Sequence, residues 1–132
     1  MKIYIATKFE SKADFHLARE QLERLGHTIT HDWTVEDAEG LTGQELERYL
    51  KQCAIKDMYG VQTADAVLAI NHPAGKRMFV EMGMAIGSGI PVFIARKELV
   101  NNIFSHIEGV YSYDGIGEAI EALDEYARLV ES

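Results

Sequence analysis

The chain has 132 residues, 47% apolar and 26% charged, with 11 glycines, two prolines and one cysteine. That length suits one core in one domain, 1–132, and the composition excludes disordered, collagenous and disulfide-stapled proteins. A net charge of −8 without a dense Lys/Arg cluster argues against nucleic acid polymers and anionic membranes, which need a basic face, while small anions stay possible.

The longest apolar run, Ala66–Ile70, is far shorter than the roughly 20 residues of a membrane span. The opening MKIYIATKFE has no apolar leader segment, and the lone Cys53 cannot form an internal disulfide. Together these set the expectation of a cytoplasmic protein.

Lys2–Ala6 reads as a short buried strand and Thr7–Ser11 as a polar loop. Phe15, Ala18, Leu22 and Leu25 fall on one helical face, which Gly26 ends. His27–His31 alternates as a second strand, followed by the long polar loop Asp32–Gly43. A helix over about Gln44–Tyr59 is expected to turn Leu46, Leu50, Cys53 and Met58 inward. Asp65–Ile70 is a strand fit for burial on both faces. After the turn Asn71–Gly75, the spacing predicts a helix over Lys76–Gly87 with Phe79, Met82, Ala85 and Ile86 inward. A strand over Ile90–Ala95 and a short one around Tyr111 precede a last helix carrying Ile116, Ile120, Leu123, Ala127 and Val130.

This alternation makes the fold class α/β: a doubly wound, Rossmann-like parallel sheet of about five strands with helices on both faces. Ligands of such sheets bind outside the strands' carboxyl ends. The expected crevice is therefore Thr7–Ser11, Asp32–Gly43, Asn71–Glu81 and Ala95–Ser105.

Several chemistries are disfavoured. ATKFES follows the first strand, so neither a dinucleotide fingerprint nor a phosphate-binding P-loop is present. HExxH and GxSxG are absent, and His27 and His31 stand four apart on a strand, a poor metal pair. The glycines of Gly83–Gly89 read as close packing and a helix stop, and Cys53 as a small core residue. Glu81 stands out: a carboxylate one turn into a helix, within the apolar run FVEMGM, beside the expected crevice. Such a placement is costly unless the group is paired or used; the other reading is a solvated outer-face glutamate. Asp57, near its helix end, is poorly placed for the helix dipole. Asp65 reads as an acceptor of backbone N–H groups at a strand start.

Three pieces of sequence resemble the nucleoside 2-deoxyribosyltransferase family, including the related 2′-deoxynucleoside 5′-phosphate N-hydrolases. They are the opening Ile3-Tyr4-Ile5-Ala6, then Asp57 followed by Asp65 in DMYGVQTADAVLAI, then Glu81-Met82-Gly83-Met84-Ala85 with Gly89-Ile90-Pro91-Val92 behind it. Their order and spacing, with 24 residues from Asp57 to Glu81, span roughly residues 2–95.

The resemblance implies cleavage of the N-glycosidic bond of a (2-deoxy)nucleoside or nucleoside 5′-monophosphate, the sugar passing to another base or to water. Glu81 would be the nucleophile that forms a glycosyl-enzyme ester. Tyr4 would hold Glu81, and Asp57 would contact the base and help protonate it. Neither metal nor other cofactor is implied.

Thr7, Lys8 and Phe9 of the first loop are candidate substrate contacts. Phe9 and Trp33 could stack on the base, Trp33 equally being a core residue. Gly75 stands where the family's transferases carry an acidic residue and its nucleotide hydrolases a serine. Lys76, beside it, could meet a 5′-phosphate at the helix N-terminus; alternatively Lys76 and Arg77 are a solvated basic pair. The family completes its site from a neighbouring subunit, here through Asn102 or Ser105, which implies at least a homodimer. The alternatives are a non-catalytic nucleotide-binding or sensing protein and a glycohydrolase of another nucleotide such as NAD.

Overall fold

A computed structural model of the chain describes residues 1–99 and 102–132. Residues 100–101 of the expected crevice segment Ala95–Ser105 lie outside the described residues. Five strands form one all-parallel sheet: β1 (Lys2–Ala6), β2 (Thr28–Ile29), β3 (Ala66–Ile70), β4 (Val92–Ala95) and β5 (Val110–Ser112). Their order is β2-β1-β3-β4-β5. Four α-helices connect and follow them: α1 (Lys12–Arg24), α2 (Gly43–Gln62), α3 (Arg77–Gly87) and α4 (Ile116–Glu131). The doubly wound α/β expectation describes this architecture.

The chain steps from β1 outward to β2, then crosses back over β1 to β3. With right-handed crossovers, that reversal puts α2 and α3 on one face and α1 on the other. Packing agrees: α2 lies on α3, and α1 on α4. The reversal also opens a switch point between β1 and β3. There the Thr7 hydroxyl donates to the Ile70 carbonyl at 3.1 Å, fastening the two strand ends together.

All five residues of β3 are buried, because helices cover both faces of this central strand. Asp65 accepts the Lys2 N–H at 2.9 Å, tying the start of β3 to β1. Gly26, at φ +91° beyond α1, and Gly89, at φ +73° beyond α3, provide the left-handed residues that end those helices.

The helix faces depart from the expected pattern in places. Leu25 and Val130 are exposed ends of their stripes. On α2 the buried residues are Cys53, Asp57, Gly60 and Val61, whereas Leu50 and Met58 are exposed and Leu46 is half-buried. On α3 they are Met78, Glu81, Met82 and Ala85, with Phe79 and Ile86 only half-buried. Gly83 and Gly87 meet no atom where a Cβ would stand, so close packing does not account for them. The close approach occurs at Gly60, where a Cβ would come within 2.9 Å of the His31 Cβ and 3.0 Å of the Tyr4 ring. That glycine lets α2 settle onto β1.

Candidate active site

The α2/α3 face of the sheet buries a connected group of polar side chains. Tyr4 points from β1 into this layer, and its hydroxyl donates a short hydrogen bond to Glu81 Oε2. Glu81, one turn into α3, is only 2% exposed. Asp57 faces it from α2. Because α2 continues to Gln62, Asp57 sits inside the helix rather than near its end. Arg77 Nε donates to Asp57 Oδ2 at 2.6 Å, and Arg77 Nη2 donates to Glu36 Oε1 at 2.6 Å. His31 Nε2 stands 3.4 Å from Asp57 Oδ1 and 3.9 Å from Glu36 Oε2.

Burial governs the electrostatics. It pushes the Glu81 carboxyl up to about 8; Asp57 adds to the rise, while the Tyr4 hydrogen bond and Arg77 oppose it. Asp57 is also raised, burial outweighing the pull of Arg77. Tyr4 is held neutral by burial and then by the charges of Glu81 and Asp57. Burial works against the Arg77 charge, but its bonds to Glu36 and Asp57 win and keep it protonated. Glu81 and Asp57 interact directly and so titrate as a pair. Both carboxyl groups are thus pushed toward their protonated forms, and two adjacent carboxyl groups that share a proton can divide acid and base roles.

Two clefts border the group. One, of about 350 Å³, is lined by Leu50, Met58, Val80 and Met84 and reaches Asp57, Arg77 and Glu81. The other, of about 600 Å³, is more polar; it holds Phe9, Lys12, Glu36 and Tyr49 and shares Arg77 and Cys53 with the first. An apolar cleft with a few convergent polar groups is the usual form of a small-molecule site.

The structure thus brings Tyr4, Asp57 and Glu81 together. Phe9 is half-buried nearby, with the Arg77 guanidinium 5.4 Å from its ring centre. Trp33 lies deeper: its indole N–H donates to the Ile5 carbonyl at 2.9 Å, and its ring packs on Phe15 at 5.0 Å. The core reading of Trp33 therefore describes it, and no face remains for a base. Thr7 spends its hydroxyl on β3, and Lys8 lines neither cleft.

Gly75 is buried against Met78, where a Cβ would stand 2.5 Å from the sulfur. Lys76 is exposed at the N-cap of α3. Arg77 is not a solvated partner of Lys76, as its two carboxylate bonds show. Asn102 caps a short 3-10 turn, accepting the Phe104 N–H at 2.9 Å. With Ser105 it lines a third cleft, of about 320 Å³, against Phe79, Met82, Gly83 and Ile86 of α3, apart from Glu81.

Sequence reasoning missed Glu36, His31 as a neighbour of Asp57, and the role of Arg77. Glu36 lies in a loop rich in acidic residues, which gave no signal; an arginine beside two unexplained carboxylates was the available clue. His27 is elsewhere, bonded to Asp124 at 2.8 Å, so the two histidines share no site. Among the described residues, His31, Glu36 and Asp57 are the group whose donor atoms converge as metal ligands do. No helix among them is long and apolar enough to cross a membrane.

No protein-family model matches the chain, and no curated protein matches it. Solved structures do. The CMP N-glycosidase BcmB of Clostridium botulinum superposes with TM-score 0.63 at 18% identity, covering 96% of this chain and 100% of that one. A 2-deoxyribosyltransferase of Bacillus psychrosaccharolyticus gives TM-score 0.65 at 18% identity over 91% and 90%. BlsM, solved in solution, gives 0.65 at 19% identity over 98% and 90%. At these identities the likeness is one of fold, shared over nearly the whole chain.

Proposed function

We propose that the protein cleaves the N-glycosidic bond of a nucleoside or nucleoside 5′-monophosphate, with Glu81 as nucleophile. The observation that carries this reading is a carboxyl group 2% exposed at the wall of an apolar cleft, held by Tyr4 and paired with a second carboxyl group. Two structures of the same fold support it by name: one is a CMP N-glycosidase and the other a 2-deoxyribosyltransferase. The sequence resemblance and the fold comparison lead to the same chemistry.

The ionised Glu81 oxygen attacks C1′ and the C1′–N bond breaks. Its electron pair stays on the base nitrogen, which takes the proton held by Asp57. The centre passes through an oxocarbenium-like state to a glycosyl ester on Glu81. Water or a second base then attacks C1′ from the side the first base left, the C1′–Oε bond breaks with its electron pair returning to the Glu81 carboxylate, and the attacker's proton passes to Asp57. With the proton on Asp57, Glu81 is charged as it attacks, and giving that proton to the base leaves Asp57 ready to accept one in the second half-step. Tyr4, held neutral, keeps its hydroxyl hydrogen and fixes the attacking carboxylate in place.

The apolar rim of Leu50, Met58 and Val80 is exposed; a second copy of the chain would shelter it, as the expected homodimer requires. Asn102 and Ser105 would then serve the neighbouring subunit's site.

The test is incubation with each deoxynucleoside and deoxynucleoside 5′-monophosphate, with and without a second free base, followed by chromatography. Base release without a second base means hydrolysis; a new nucleoside means transfer. Glu81→Ala is expected to lower turnover at least about a thousandfold while the fold survives. Tight nucleotide binding with no base release under any of these conditions would leave a binding protein instead.

A further inference from the structure

We propose that His31, Glu36 and Asp57 form a binding site for a divalent transition-metal cation, with zinc best suited to their spacing. Their donor atoms lie within 4.8 Å of one another, and the two measured edges that meet at His31 Nε2 are 3.4 and 3.9 Å. Zinc bonds of about 2.0–2.1 Å at tetrahedral angles place neighbouring ligand atoms about 3.3 Å apart. The His31–Asp57 edge already matches that spacing, and the His31–Glu36 edge exceeds it by about 0.6 Å, a distance that a side-chain rotation can close.

A second observation points at a ligand. His31 Nε2, Glu36 Oε2 and Asp57 Oδ1 are all buried and all lack a hydrogen-bond partner. The Glu36 and Asp57 side chains are only 9% and 6% exposed. A buried carboxylate oxygen with no donor is costly, by about 1–3 kcal/mol or more. Two of them converge here with an imidazole nitrogen. A neutral imidazole offers one N–H at most, which cannot serve both oxygens well at these distances. One divalent ion satisfies all three atoms.

The remaining oxygens support this use. Glu36 Oε1 and Asp57 Oδ2 are each bonded by Arg77, so each carboxylate has one face fixed and the other turned inward. Ligand carboxylates are typically oriented in this way by outer hydrogen bonds. With both carboxylates ionised, Arg77 cancels one of their two charges, so a cation competes at this site with the proton on Asp57. The pairing of one nitrogen with two oxygens favours a first-row cation over calcium or magnesium, which prefer oxygen alone. Asp57 is common to this site and to the proposed reaction. A filled site takes its free oxygen, so metal occupancy and proton delivery to a base exclude each other.

The test uses the full chain without nucleoside, so its outcome is separable from that of the glycosidase assay. Chelator-treated protein is dialysed against micromolar Zn²⁺ and analysed for bound metal; Co²⁺ absorption then reports the coordination geometry. One ion per chain is expected, with affinity lowered at least about a hundredfold in His31→Gln and in Glu36→Gln. Glu36→Gln keeps an acceptor for Arg77, so it serves should His31→Gln disturb folding. His16→Gln, on an exposed helix face, is expected to bind as the wild type does. No stoichiometric uptake by the wild type, as expected if a proton on His31 bridges the carboxylates, overturns the proposal. Equal uptake by both site variants overturns it too.

Discussion

Each face of the sheet sets a histidine against a buried aspartate, and the two pairs differ in closure. On the α1/α4 face, His27 Nε2 meets Asp124 Oδ1 at 2.8 Å, and Arg128 donates to Asp124 Oδ2 at 2.7 Å. The other ring nitrogen of His27 lies 3.4 Å from the N-terminal amine. Every polar atom there has a neighbour of suitable chemistry. On the α2/α3 face, His31 stands back from Asp57, three donor atoms are left without partners, and a glutamic acid is driven toward neutrality beside a cleft. The closed pair serves as a fastening between helix and sheet. The open one stores unmet interactions that a substrate or an ion can complete, and such sites are where perturbed titration and function coincide.

The widest break between the two is expected from single substitutions. Glu81→Gln, which keeps an acceptor for the Tyr4 hydroxyl, should remove turnover and leave the unfolding midpoint at neutral pH close to the wild type's. Asp124→Ala should do the reverse. It leaves His27 buried without its acceptor, at a cost of about 1–3 kcal/mol, read by urea denaturation. Turnover per folded molecule should be unchanged, because the sheet separates Asp124 from the clefts. An Asp124 variant that folds normally but loses activity would dissolve the distinction.

pH sharpens the contrast further. Glu81 has an ordinary value of 4.5 and is pushed up to about 8 in the fold. Between those values the folded protein binds more protons than the unfolded chain, so stability falls as pH rises through this window and levels off above it. From about pH 6 to about pH 9 the loss attributable to this group is about 3 kcal/mol. Glu81→Gln removes the titrating group, so its stability should decline less over the same range and exceed the wild type's at the alkaline end. Turnover of the wild type should fall along the same alkaline limb, as the pair loses the proton destined for the base.

Much of the fold was legible because apolar periodicity reports burial. β3 was readable as a run fit for two covered faces, and α1 and α4 as stripes ending at their expected glycine or terminus. The same rule misread α2 and α3. It placed Leu50, Met58, Phe79 and Ile86 inward, whereas the inward positions hold Asp57, Gly60, Met78 and Glu81. Periodicity assumes that a buried face is apolar, and it fails where a site puts charge on that face and apolar groups around its rim. Failures of this kind are expected at functional positions. Glu81 itself was visible as a carboxylate in an apolar context. Glu36 and His31 were not, since their role depends on a loop returning over α2, a long-range contact with no local signature. Trp33 is the converse case: its sequence context suited a base-stacking and a core residue equally, and only its bond to Ile5 and its packing on Phe15 select the core.

The smallest effect concerns Lys76, and it tests whether the open face extends to a phosphate. Lys76 is exposed at the start of α3, where the first-turn N–H groups point outward and the helix dipole favours an anion. Little more than one turn later the same helix carries Glu81, which sets Lys76 within reach of a substituent on a sugar held at that carboxyl. Removing a single exposed ammonium from such a contact is worth about tenfold in affinity, or about 1.4 kcal/mol. Lys76→Ala should therefore raise KM for a nucleoside 5′-monophosphate about tenfold and leave the nucleoside's KM unchanged. Salt should reproduce part of this difference in the wild type, because an exposed charge contact is screened within about 8–10 Å. Equal changes for both substrates would place the phosphate elsewhere and confine the open face to the sugar and the base.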